Sequence, residues 1–371
     1  MRRKLMLGML SMTCFLAVML SELQVKAGTN ILYQEDYIAL HKANINRFID
    51  NSCNEINVKL LQDLHGNVFQ VVETGDKGYY IFDEVSGRYL EQAPESPSPY
   101  LGLDENLYYF GPMNYYQEIG GVFKHTILTE EISTEIADSI QEDFSNKIGV
   151  VREDTDLEGL TAFTQKNITK KMLEKTYNET QANYKNIYVP NYTYIKNAIY
   201  PLNTDGTCGY TAACIVLNYW NKSGYYMIDN KFLDENGDLK IERESEDIFT
   251  LQDQLLEYGK TNNSTGMKIS NVVNKYCDEY GIDATANYHL LANSVYEEME
   301  AGHPVIIFGN FDNVSSPEQE RINHAMTFYG EHIVGDSSTV TYMIVHYGWP
   351  GYEEIIVTSG LLGSSTVIVP N

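Results

Sequence analysis

The chain has little cysteine, little positive charge, and no long apolar run beyond its first residues. Each shortage closes off a class of protein. Its 371 residues hold five cysteines, Cys14, Cys53, Cys208, Cys214 and Cys277. That is too few for a disulfide framework, even in an oxidising compartment. No Cys-x-x-Cys, His-Glu-x-x-His or Cys/His cluster with metal spacing occurs, so neither a zinc site nor a cofactor is expected. Lys and Arg number 26 against 51 Asp and Glu, a formal charge of −25. Such a chain repels nucleic acid, whose phosphates need basic partners, and has no polybasic membrane patch. The charge suits solubility outside a cell.

The N-terminus speaks for that destination. Arg2, Arg3 and Lys4 precede an apolar run over residues 5–20, and Val25-Lys26-Ala27 places small residues where a signal peptidase reads. Residues 1–27 are therefore expected to be a secretory signal and are set aside from the fold. An uncleaved anchor is the rival, although the run is short for a membrane span. Cys14 lies inside the run, a poor position for a lipidated cysteine. After signal removal no stable membrane insertion is expected.

The remainder suggests about two domains. Residues 34–63 carry apolar positions at roughly helical spacing. The period then changes. Residues 67–73 and 78–83 read as strands of a hairpin, and 88–91 as a further strand. Pro-Glu-Ser-Pro-Ser-Pro at 94–99 is a rigid break. Residues 106–117 are dense in aromatics in a chain with 29 tyrosines, a composition that commonly packs one domain against another. A polar stretch follows, with a helix expected near 169–185. Tyr184 to Pro201 looks like an exposed boundary, dividing an N-terminal α+β region over 28–190 from a second domain over 191–371.

The second domain is expected to be α+β, helices first and an antiparallel sheet afterwards. Helices fit 208–220, 249–259, 267–280 and 293–301. Strands fit 304–308, 324–331, 341–346, 353–358 and 365–369. Asp229 to Ile241 reads as a small hairpin. Its acidic tip fails calcium-loop spacing, because Phe232 falls at the first ligand position.

The stretch 206–220 carries the chemistry. A loop ends at Gly206 and Thr207, and Cys208 opens an apolar, small-residue helix. Backbone N–H groups and the helix dipole at that end favour a thiolate, a candidate nucleophile. Such a nucleophile needs a base, and histidine serves best near neutral pH. His303 falls at a turn and is expected to be exposed, and His289 falls on a strand without an evident partner. His324 opens a strand beside small Ala325, and His346 closes the next strand, where the two could touch. Simple core roles for Cys208, His324 and His346 are the competing readings. Cys214 and Cys277 are expected in the core.

This order resembles papain-like cysteine peptidases, nearest to the bacterial C39-like and streptopain-like secreted peptidases. The resemblance rests on Gly206-Thr207-Cys208-Gly209-Tyr210, the Gly302-to-Ile306 strand, Asn323-His324-Ala325 and the Gly348-Trp349 that follows a polar residue. It covers roughly 200–371, with 116 residues between Cys208 and His324. Residues 79–91 also resemble streptopain-type propeptides. The resemblance implies Cys208 as nucleophile, His324 as base and then acid, His346 as the group orienting His324, and Trp349 as a shield over the two histidines. Asp336 is a rival orienter. The family's usual oxyanion glutamine is replaced by Leu202, so Asn203 and the Cys208 backbone N–H are the candidate donors.

The expected protein is thus a secreted cysteine peptidase made as a zymogen, acting on protein or peptide substrates and partnered by its own pro-region. Two alternatives stay open. One is another Cys–His amide hydrolase or acyltransferase, such as a cell-wall amidase or a transglutaminase-like enzyme. The other is a catalytically silent surface protein on the same fold.

Overall fold

The structure is a computed structural model. It describes residues 56–371 apart from 76–77, 85–88, 129, 154–183, 204–205, 243–248, 263–264, 291–294, 310–323, 335–339 and 362. The signal segment, Cys14, Cys53, residues 34–55 of the helix expected over 34–63 and most of that over 169–185 lie outside the described residues, as do Asn323 and Asp336. Lys59–Asn371 forms one compact unit.

The first region is mostly strand. It runs β1 (Ile56–Gln62), β2 (Val68–Thr74), β3 (Tyr79–Asp83), β4 (Tyr89–Ala93), β5 (Leu107–Tyr109), β6 (Tyr115–Ile119), β7 (Val122–His125), β8 (Glu131–Ile132) and α1 (Thr134–Glu153). β2 and β3 form the expected antiparallel hairpin. Ile56–Gln62, expected as the end of a helix, is a strand instead. Its Ile, Val and Leu positions fit both periods, and parallel pairing of Gln62 with Tyr108 on β5 takes the strand. In α1, Ala137, Ile140, Gln141, Phe144 and Ile148 are buried at helical spacing. Ala137 and Ile140 close a core with Phe110, Tyr116, Phe123 and Ile132.

The second region runs β9 (Tyr184–Tyr188), α2 (Thr193–Lys196), α3 (Cys208–Lys222), α4 (Leu251–Gly259), α5 (Gly266–Tyr280), β10 (Ala284–His289), α6 (Val295–Glu300), β11 (Val305–Phe308), β12 (Ala325–Val334), β13 (Val340–His346), β14 (Ile355–Thr358) and β15 (Ser365–Pro370). Helices come first and an antiparallel sheet afterwards, the expected α+β order. Caps mark the helix starts: Thr250 and Asp253 form a capping box on α4, and the Thr265 side chain accepts from Lys268 N–H on α5. All four residues of β11 are buried, each contributing about 1.5–3 kcal/mol of apolar burial. Between Asp229 and Ile241 the expected hairpin reduces to one bridge, Leu233 with Leu239. Its tip is a turn in which the Asp234 carboxylate accepts from the N–H groups of Asn236 and Asp238.

One sheet joins the two regions, in the order β10-β15-β11-β12-β13-β14-β4-β3-β2-β1-β5-β6-β7-β8, with β9 paired to β12. The first region enters through β4, where Gln92 and Glu91 pair with Ile356 and Val357 of β14. The expected boundary within 184–200 is corrected by β9. Tyr184–Tyr188 pairs with Gly330–Val334, so these five residues belong to the second region's sheet, although Tyr184 itself is exposed. Tyr188 crosses so close to Gly330 that a Cβ there would lie 2.7 Å from its ring, which requires glycine. The Tyr188 hydroxyl donates to Glu354 at 2.7 Å, and Lys196 pairs with the same carboxylate.

Glu91 lies fully buried at the joint. The hydroxyls of Tyr79, Tyr109 and Tyr115 donate to its carboxylate at 3.2, 3.0 and 2.6 Å. These four residues all belong to the first region; the tyrosine-rich 106–117 stretch reaches the second through Tyr115, edge-on to Trp349 at 6.4 Å. Burial pushes Glu91 up to about 7 from 4.5, against the pull of the three hydroxyls. A carboxyl raised in the fold stabilises it fully below pH 4.5, and that contribution is lost as pH rises through 7. The loss is about 3 kcal/mol. Urea midpoints at pH 5 and pH 8 should therefore fall further for the native chain than for Glu91→Gln; equal falls would show that Glu91 carries no such linkage.

Candidate active site

The α3 helix starts without a side-chain cap from Thr207, and its residues from Cys208 to Trp220 are all buried. Cys208 is 2% exposed. The backbone N–H of Ala325, first residue of β12, donates to Cys208 Sγ at 3.2 Å. A helix N-terminus and an N–H aimed at the same sulfur both favour negative charge on it. Ala325 therefore faces a helix, and it is the small neighbour that lets α3 approach.

His324 is the residue before β12. Its carbonyl accepts from Gly309 N–H at 3.0 Å, which anchors its backbone beside the sulfur. The ring turns toward two aromatic partners. It meets Trp349 edge to face at 5.7 Å and His125 at 5.8 Å between centroids. Burial, with a smaller push from His125, draws His324 down to about 3, so the ring is neutral.

His125 ends β7 in the first region. Its Nε2 donates to the Met113 carbonyl at 2.9 Å, and its Nδ1 accepts from the N–H groups of Ile127 and Leu128 at 3.2 and 3.1 Å. Those partners fix the neutral form with the proton on Nε2. The ring also lies against Trp349 at 5.5 Å. No motif in the sequence marks His125. It is found by its contacts alone.

His346 sits at the end of β13 and pairs in register with Thr327. It is fully buried, and burial draws it down to about 3. Its Nδ1 accepts from Gly348 N–H at 2.8 Å, so the proton is on Nε2, which lacks a partner. The ring meets Tyr200 edge to face at 4.7 Å. Among the described residues His346 makes no hydrogen bond to His324, and its acceptor nitrogen is already in use. The expected contact between the two histidines is not made in this arrangement. Trp349 shields His324 alone. Gly348 holds the intervening turn at φ +74, where a Cβ would lie 3.1 Å from Thr211 of α3.

Asn203 is buried at 5% exposure, and its Nδ2 has no partner. The loop that carries it is tied down by Gln252 of α4, whose amide donates to the Leu202 carbonyl at 3.3 Å and to Thr211 Oγ1 at 2.9 Å. Sequence reasoning missed Gln252, which no spacing rule connects to Cys208. His303 is half-buried rather than exposed, with Nδ1 against Glu298 Oε2 at 2.8 Å. His289 is half-buried on β10, as a strand residue. Cys214 and Cys277 are buried free thiols in the core. Burial raises both, Cys277 to about 12. Among the described residues no cluster of three or more His, Cys, Asp or Glu could hold a metal ion, and no helix is long and apolar enough to cross a membrane.

No curated protein matches the chain. Among solved structures, a fragment of prointerpain A from Prevotella intermedia, a cysteine-to-alanine mutant, is similar to this chain. That chain is 12% identical, with a TM-score of 0.39, and the match covers 85% of this chain and 99% of that one. Residues 186–346 match the Peptidase_C39 like family. From β9 to His346, then, this chain resembles the C39-like cysteine peptidases in sequence, as its cysteine and histidine motifs imply.

Proposed function

We propose that the chain is a secreted cysteine peptidase made as a zymogen. One observation carries this reading: Cys208 Sγ lies at the start of α3 and receives the N–H of Ala325, the residue that follows His324. Peptide hydrolysis needs a thiolate beside an imidazole whose backbone is already placed. The Cys208 thiolate attacks the carbonyl carbon, and the tetrahedral oxyanion takes the hydrogen-bond donors nearby. His324 first takes the Cys208 thiol proton and hands it to the leaving amine; it then takes a proton from the water that attacks the acyl group and returns it to the departing sulfur.

The resting site supports the precursor reading. The His324 ring lies against His125 and Trp349. The first region makes this contact, and it also reaches the second region through Lys147 Nζ on the Gly309 carbonyl at 2.8 Å and Tyr352 OH on the Pro97 carbonyl at 2.9 Å. Loss of that region frees the ring. β9 is part of the second region's sheet, so the mature chain keeps it. N-terminal sequencing of the active form should give a start at or before Tyr184, and a start beyond Tyr188 would overturn this boundary.

Asn203 is the oxyanion donor in this reading. Its buried Nδ2 has no partner and would gain one from the tetrahedral oxygen. Asn203→Ala should lower kcat about 10²-fold and leave KM nearly unchanged. Cys208→Ala and His324→Ala should each remove at least about 10³-fold of casein hydrolysis. Casein zymography beside purified peptidoglycan tests the reaction itself, since clearing of peptidoglycan alone would make the protein an amidase. A processed chain in which an epoxide trap labels Cys208 no faster than Cys277 would be a silent fold.

A further inference from the structure

His125 is a buried imidazole that the proposed reaction does not use, and its surroundings admit only one protonation state. Nδ1 faces two backbone N–H groups, of Ile127 and Leu128, and Nε2–H faces the Met113 carbonyl. Its own N–H donates to the Glu130 carbonyl at 2.7 Å. One ring therefore ties together the chain after β7 and the β5–β6 turn. Every surface around it is aromatic or titratable only at an extreme. β6 supplies Tyr115 and Tyr116 at 6.1 and 5.2 Å, the segment after β13 supplies Trp349, and the start of β12 supplies His324. No carboxylate bonds the ring among the described residues. The Tyr115 hydroxyl on this wall donates to Glu91 at 2.6 Å.

We propose that His125 is an acid-operated latch: a proton on Nδ1 breaks the ties that hold β5 to β7 over His324 and Trp349, and the cover opens. The inference rests on reading the first region as an inhibitory cover. The step is simple proton uptake. Nδ1 changes from acceptor to donor and then faces two donors, so the bonds from Ile127 and Leu128 are both lost. The new cation sits against the His324 ring with no anion to balance it. Uptake by His324 acts in the same sense, since two imidazolium rings repel.

The sign follows from the direction of the shift. Burial lowers His125 from 6.5 to about 4 while the cover is closed. The closed form then binds fewer protons than the open form. Closure is fully stable above pH 6.5 and weakens as pH falls toward 4. The closed-to-open ratio drops about tenfold for each pH unit in that window, to about a hundredfold from His125 alone.

The test is hydrogen exchange on the full-length Cys208→Ala chain that also carries Glu91→Gln, which removes the opposite pH linkage of Glu91, between pH 7 and pH 4, corrected for intrinsic exchange rates. Amides of Leu107–His125 should lose protection about a hundredfold while those of Cys208–Lys222 keep theirs. His125→Asn retains a neutral acceptor for the following N–H groups and cannot take the proton. It should stay closed at pH 7 and lose most of the pH dependence. His125→Gln serves should the Asn chain fail to fold. Unchanged protection of Leu107–His125 at pH 4, loss of protection throughout the chain at once, or an equal pH response in the variant would each overturn the latch. Exchange is read without catalysis, so an inactive protein leaves this measurement standing, and a flat profile leaves the role of Cys208 untouched.

Discussion

The hydrogen bond from Ala325 N–H to Cys208 Sγ joins the start of a buried helix to the start of a central strand. Around it the geometry has little freedom. β12 is paired to β11, β13 and β9, and α3 is buried along thirteen consecutive residues. Moving the sulfur relative to the residue after His324 would mean sliding a helix across a sheet, against a core of closely interdigitated side chains. The position of Cys208 relative to the backbone of His324 is therefore held by backbone and core, and the imidazole orientation is left to side-chain contacts.

Those contacts currently belong to an aromatic enclosure. Trp349 meets His324, His125, Tyr115, Tyr347 and Tyr352 edge-on, each pair at 5.5–6.4 Å. Two of the five come from the first region. Edge-to-face pairs of this kind each contribute about 0.5–1.5 kcal/mol beyond their buried area, comparable to the cost of holding one ring in one rotamer. The enclosure is strong enough to choose an orientation for His324 and weak enough to be reversed by removing one wall.

How much of this could be read from the chain depends on the range of the forces involved. The α3 helix was legible because small and apolar residues run without a break from Cys208 into its core, and β11 and β13 because their apolar runs are short and bounded by turns. Ile56–Gln62 was not, since the same residues fit a helix until Tyr108 supplies a pairing partner. α1 was hidden because Glu135, Asp138, Glu142 and Asp143 are interleaved along the sequence with the residues of its narrow apolar stripe. At the site, Cys208 and His324 follow from their own neighbourhoods. His346 was placed correctly at a strand end, but its hydrogen bonding could not be read, because Gly348 N–H occupies its acceptor nitrogen from two residues away. His125 and Gln252 carry no local signal. Each matters through residues far along the chain.

The junction of β4 with β14 has a consequence for any form of the chain that lacks the first region. Ile355, Ile356 and Val357 are buried, with β13 on one side and β4 on the other. Strip β4 away and an apolar strand is left with a row of unclaimed N–H and C=O groups. Such an edge adds strands from any chain that meets it, its own copies first. The first region thus acts as a selvedge on the sheet, and a chain started at Tyr184 would face its neighbours with that border unfinished.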